Sequence, residues 1–154
     1  MPDKTLPSEL SQTRGRRAWL TVVRTYLQCD ALLASRLAAA GVRMGEHEVL
    51  INLARTPGMT QQELAQHSFS AKSGISMLVA HMEKQGLVQR NADAQDARIK
   101  RVTLTAGGEE LALVCVDIQA QLALQMTGSF SDEELDMVER LMLRAIDALG
   151  RLEH

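Results

Sequence analysis

A mostly α-helical fold with a small β wing is predicted for this chain of 154 residues by three observations. Segments rich in Leu, Ala and Val with helical periodicity fill both ends, in a chain that is 45% hydrophobic but only 3% aromatic. Between Met59 and Leu104 come a capped short helix, a tight turn, an amphipathic helix and two alternating strands around a polar hairpin. That order is expected of a winged helix-turn-helix with a two- to three-stranded wing. The long helices on either side offer more apolar surface than one such lobe can cover.

Residues 1–12 are polar, contain Pro2 and Pro7, and are expected to form a flexible N-terminus. The run Arg14-Gly15-Arg16-Arg17 fits a solvated charge cluster, or else a contact to phosphate or an acidic partner. A long helix is predicted over Ala18–Ala40 from Trp19, Val23, Tyr26, Leu33 and Leu37, with Gly41 closing it. Asp30 falls on the same seam, either paired across it or at its solvent edge. A second helix over Gly45–Arg55 turns Val49, Leu50 and Leu53 inward and stops at Thr56-Pro57-Gly58.

In the central lobe, Thr60 and Glu63 have the spacing of a capping box, and Met59 and Leu64 that of its hydrophobic staple. The turn runs through Ser68-Phe69-Ser70, and Ser70 is the expected cap of the next helix. There Ile75, Leu78, Val79 and Met82 form the core stripe. Ser73, Ser76, Met77, Ala80 and Lys84 face away from it, with Lys72 in the first turn. Short hydroxyls and few charges suit a helix that lies against a surface in a major groove; an ordinary solvated face is the alternative. Gly86 ends the helix in the left-handed conformation. The strands are expected at Leu87–Arg90 and Arg101–Leu104, with a polar tip between them.

Thr105 is placed to cap a long helix with Leu111, Val114, Cys115, Ile118, Leu122 and Met126 on one face. Ser131 and Glu134 form a second capping box, with Phe130 and Leu135 as its staple, before a last helix carrying Leu135, Val138, Leu141, Met142, Ala145, Ile146 and Leu149. Residues 13–44 and 105–154 are thus expected to form a helical dimerisation region around a lobe at 45–104. An intertwined homodimer would set two recognition helices one DNA turn apart, on a pseudo-palindrome.

Five linked motifs carry a family resemblance: Glu63-Leu64-Ala65, Lys72-Ser73, Met82 to Val88, Asp93-x-x-Asp96-x-Arg98 and Leu104-Thr105-x-x-Gly108. Together they resemble the MarR family of bacterial transcriptional regulators. The resemblance implies that Arg98 enters a minor groove while Asp96 holds it, a use of the negative potential there; a solvated hairpin tip is the alternative. The expected DNA contacts are Lys72, Ser73, Ser76, Met77, Lys84, Arg90, Asp96, Arg98, Lys100 and Arg101. Family members often carry Asp or Arg where this chain has Ala71, Met77, Ala80 and His81, which leaves the reading helix poor in cations. The resemblance also implies a small-molecule effector beside the first two helices. Trp19, Tyr26, Arg43 and His47 are the candidates for a small aromatic or lipophilic acid, against the plainer reading of Trp19 and Tyr26 as packing residues and His47 as a helix-surface histidine.

The net charge of −2 hides a segregated distribution. From Ala71 to Gly108 six cations face three anions, a net of +3; from Glu109 to His154 three cations face ten anions, a net of −7. A DNA face backed by an acidic body requires such a division. No phosphate-binding Gly-rich loop, nucleophile elbow or H-E-x-x-H is present, and His47, His67, His81 and His154 lack ligand spacing, so neither an enzyme nor a cofactor or metal is expected. Without a membrane-length apolar stretch or a signal-peptide pattern, the expected location is the cytoplasm. The expected function is a ligand-responsive repressor. Two alternatives stand beside it: a thiol-based redox regulator using Cys29 or Cys115, and a winged helix that binds protein without DNA.

Overall fold

The computed structural model describes residues 14–69 and 73–152. The expected flexible N-terminus, the Ser70 cap and Lys72 lie outside them. Among the described residues there are six helices and three short strands. They run α1 (Arg14–Ala39), α2 (Met44–Arg55), β1 (Met59–Thr60), α3 (Gln61–His67), α4 (Ile75–Lys84), β2 (Val88–Ala92), β3 (Lys100–Leu104), α5 (Ala106–Thr127) and α6 (Asp132–Gly150). The chain divides into two compact units, the first ending at Gln119 and the second beginning at Ala120.

The first unit is built around one apolar core. Leu37 of α1, Val42, and Val49, Leu50 and Leu53 of α2 meet Leu64 of α3 and Ile75, Val79 and Met82 of α4. Val88 and Val102 close it from the sheet, and Ala112 and Cys115 from α5. Each fully buried aliphatic side chain contributes on the order of 2 kcal/mol. Gly41, Gly58 and Gly86 adopt φ of +77°, +82° and +74° where the chain leaves α1, enters β1 and leaves α4. A β-carbon would strain the backbone at each of these turns.

The sheet has the order β1-β3-β2, antiparallel throughout, with Met59 opposite Val102 and Arg90 opposite Val102 on the other side. The third strand is Met59–Thr60 itself, so the residue that staples α3 is also a strand residue. Both expected capping boxes form. Thr60 Oγ1 accepts from Glu63 N (3.2 Å) and Glu63 Oε2 from Thr60 N (2.7 Å). Ser131 Oγ accepts from Glu134 N (3.3 Å) and Glu134 Oε2 from Ser131 N (2.9 Å).

Several boundaries differ from the sequence expectation. The first helix already begins at Arg14, so the basic run is helical, and Asp30 is exposed. The second starts at Met44, one residue early. The helix α4 starts at Ile75 behind Gly74, whose lack of a side chain leaves that end without a side-chain cap; Ser73 therefore sits in the preceding turn and not on the helix. The strands are Val88–Ala92 and Lys100–Leu104, because ladder pairing continues to Ala92 and Lys100. On α5 Gly108, Ala112, Cys115 and Leu122 are buried and Leu111 and Ile118 half-buried, while Val114 and Met126 are exposed. Gly108 brings the helix hard against the backbone of Leu87, where a β-carbon would stand 1.9 Å from the carbonyl oxygen.

Candidate nucleic-acid interface

The wing is held by its own carboxylates. Asp93 Oδ1 accepts from the backbone N–H of Gln95 (2.8 Å) and Asp96 (3.1 Å), which turns the chain over the hairpin tip. Asp93 Oδ2 accepts from Arg101 Nε, and Arg101 Nη1 reaches the carbonyl of Gly58 at 2.9 Å. One guanidinium thus ties the wing tip to the turn before β1. The Arg101 guanidinium, helped by the two backbone donors, holds the Asp93 pKa at about 2. Sequence reasoning counted Arg101 with the DNA contacts and assigned Asp93 no role, since nothing in a linear sequence pairs residue 93 with 101 or 58.

At the tip, Asp96 Oδ1 accepts from both N and Nε of Arg98, each at 3.0 Å, and Oδ2 accepts from Nη2 at 3.1 Å. The same bonds to Arg98 lower the Asp96 pKa. The Arg98 side chain is 92% exposed. The carboxylate therefore fixes the base of the guanidinium while its outer edge stays in water, the arrangement expected of an arginine poised to enter a groove.

Arg90 is bonded to Glu83 at the surface of the lobe. Its Nε donates to Glu83 Oε2 at 3.0 Å and its backbone N–H to Glu83 Oε1 at 3.1 Å, so the last turn of α4 is bonded to β2. The Arg90 side chain in turn depresses the Glu83 pKa. Lys84 and Lys100 are exposed at the end of α4 and the start of β3. Ser73 and Ser76 are exposed as well, and Met77 is 81% exposed on the side of α4 opposite the core. Phe69, placed by the sequence in the turn after α3, is 89% exposed in that bend, and its N–H donates to Glu48 Oε2 at 3.2 Å. Adjacent Ser68 is buried with its hydroxyl donating to the Leu64 carbonyl (2.8 Å), which helps fix where that bend leaves the helix.

The four effector candidates meet unlike surroundings. Trp19 and Tyr26 are 61% and 62% exposed on α1. Arg43 precedes α2, where its Nη2 donates to Glu46 Oε1 at 3.0 Å and its N–H to Glu46 Oε2 at 2.9 Å. His47 is not a surface histidine: it is 5% exposed, one turn before the buried Leu50 on α2. Burial lowers its pKa, with Glu48 opposing, and its Nδ1 has no hydrogen-bond partner. Glu46 beside it is also buried, with His81 Nε2 of α4 3.8 Å from Oε1. Cys115 is buried too, and burial together with the Glu46 charge raises its thiol pKa, which disfavours the reactive thiolate. Cys29 is half-buried. Among the described residues no three His, Cys, Asp or Glu side chains are grouped to hold a metal ion, and no single helix is long and apolar enough to cross a membrane.

With this geometry in place, comparison with known proteins is informative. The chain is 30% identical over 102 residues to the transcriptional regulator HosA of Escherichia coli O157:H7, covering 66% of this chain and 76% of HosA. The MepR–DNA complex of S. aureus superposes with a TM-score of 0.71 at 20% identity, over 86% of this chain and 95% of MepR. The organohalide-sensing regulator RdhR, in its 2,4-dichlorophenol-bound form, superposes with a TM-score of 0.73 at 16% identity, over 96% of this chain and 88% of RdhR. Residues 40–99, from the end of α1 to the wing tip, match the MarR family, and the chain belongs to that family of transcriptional regulators.

Proposed function

We propose that this regulator binds a pseudo-palindromic operator as a homodimer in the cytoplasm, represses transcription there, and releases the DNA when a small aromatic or lipophilic acid binds. The observation that carries the DNA reading is the pair Asp96 and Arg98, a guanidinium oriented at its base and 92% exposed at its tip. Lys84, Lys100, Ser73, Ser76 and Met77 extend the same surface, while Arg90 and Arg101 act first by bracing it. Dimerisation is supported by apolar surface with no cover in the single chain: Trp19, Val22, Tyr26 and Leu27 on α1, and an α6 without one buried residue. Exposed apolar side chains gathered on a helix, as on each of these two, mark an association site. Effector response is supported by the dichlorophenol-bound relative and by the aromatic face of α1, with Trp19 and Tyr26 the residues proposed to meet it; Arg43 and His47 belong to the same proposal with the geometry given above.

The experiment is a mobility-shift titration of the full chain on random-sequence-enriched duplex at several salt concentrations, with phenolic acids added to the shifted complex. Operator binding predicts a log–log salt slope close to −1 for each phosphate neutralised, survival against nonspecific competitor, and loss of the shift on effector addition. A folded dimer that enriches no sequence would sink the DNA reading. A shift that no acid releases would sink the effector reading alone.

A further inference from the structure

The outward face of α4 has unusual chemistry for an element that reads DNA. Ile75, Val79 and Met82 are buried and Leu78 is half-buried, which fixes the inward direction. At about 100° per residue the opposite direction falls on Met77 and Lys84, with Ser76 and Ala80 to one side and His81 to the other. His81 leans toward α2, its Nε2 3.8 Å from Glu46 Oε1. Ser76 and Ala80 are too short to compete with a methionine in reach. Lys84 stands on that line at the last residue of the helix, and Met77 on the same line in its first turn presents an unbranched thioether, 81% exposed, that donates no hydrogen bond and accepts only weakly.

In a major groove that chemistry has one good match. Guanine and adenine N7, guanine O6 and thymine O4 accept hydrogen bonds, the exocyclic amines donate them, and the C5-methyl of thymine is the apolar group of the base edges. Methionine pressed on any other edge would strip water from a polar atom and return nothing. Resting on the operator-binding reading above, we propose that Met77 is a specificity-determining residue that reads the C5-methyl group of one thymine in each operator half-site. Lys84, on the same line of the helix, would take the neighbouring phosphate and set the depth at which Met77 meets the base.

The test removes the methyl group from the DNA instead of from the protein. Duplexes are enriched from a random pool with the full chain, and each thymine of the winning half-site is replaced singly by deoxyuridine, which keeps all base pairing. Affinity is read by fluorescence anisotropy at one salt concentration for the wild type, Met77→Ala and Met77→Leu, with circular dichroism as the check on folding. The proposal expects one thymine whose replacement weakens the wild type about fourfold per half-site, the value of one methyl group kept from water. Met77→Ala should show no preference between thymine and uracil there, and Met77→Leu should retain it. Identical thymine-to-uracil ratios in wild type and Met77→Ala at every position would overturn the proposal while leaving operator binding intact. A pool that enriches nothing would overturn operator binding, and this assignment with it.

Discussion

Arg98 and Arg101 stand on one hairpin, yet their guanidinium groups meet different surroundings. Among the described residues Arg98 is bonded to the carboxylate that orients it and is 92% exposed, whereas Arg101 joins Asp93 to the Gly58 carbonyl. Arg98→Ala should therefore weaken operator binding about 10- to 100-fold, the range for a groove-reading arginine, and leave the thermal midpoint almost unchanged. Arg101→Ala should lower binding and the midpoint together, since it unpins the wing. Anisotropy and thermal circular dichroism on both variants check this, and equal thermal losses would reverse the assignment. His47 supports a second residue-scale expectation. Burial keeps its folded-state pKa below the ordinary value, so the unfolded chain takes up a proton first as pH falls. Its contribution to stability is present above about pH 6.5 and declines below it, by at most about 1.4 kcal/mol per pH unit. Urea midpoints at pH 7.5 and 5.5 should show that decline, and His47→Leu should reduce it; an unchanged difference would show that other groups cause it.

At the scale of elements, the junction between α4, the sheet and α5 sets where α4, the helix proposed to read DNA, stands. Thr105 donates its backbone N–H to the Leu87 carbonyl (3.0 Å), and its hydroxyl accepts from Gly108 N at 3.1 Å, capping α5. Gly108 leaves the space that this packing needs. Gly108→Ala should cost about 2 kcal/mol or more by forcing α5 away from Leu87. Gly107→Ala, whose new methyl would meet nothing closer than 3.8 Å, should be nearly neutral. Chemical denaturation of the two variants makes the comparison, and equal losses would mean that helix propensity, not the close approach, decides.

For the whole molecule, the apolar residues of α1 and α6 are an expense that a monomer in water has no reason to carry. Met142→Glu combined with Ile146→Glu should give a monomer by light scattering. It should also weaken operator binding about 100-fold or more, because the second half-site is no longer tethered to the first. A double variant that stays dimeric would move the interface elsewhere. This expectation is independent of the wing, so Arg98→Ala should leave the dimer intact.

Much of the fold could be read from local signals, because those signals act within a turn of the chain. The capping boxes at Thr60 and Ser131, the glycines at 41 and 86 and the period of Ile75, Val79 and Met82 each concern residues no more than a few positions apart. Asp96 and Arg98 were paired through the family resemblance, and their separation of two residues is what lets the carboxylate reach the guanidinium. What the tertiary structure alone decided depends on long separations. Glu83 and Arg90, Asp93 and Arg101, and Arg101 and Gly58 are brought together only when the sheet forms, and that pairing gives two of the expected DNA cations bonds within the lobe as well. Likewise His47 looks like a surface residue by its polarity and is buried by its place on the α2 wheel, where the apolar gain of its neighbours outweighs one unsatisfied nitrogen. The sequence by itself determined the helices, their caps and the spacing of Asp96 and Arg98, since these follow from short-range geometry, while the role of that pair came from the family resemblance; only the packed structure decided which charges are bonded across the lobe, since those partners are far apart in the chain.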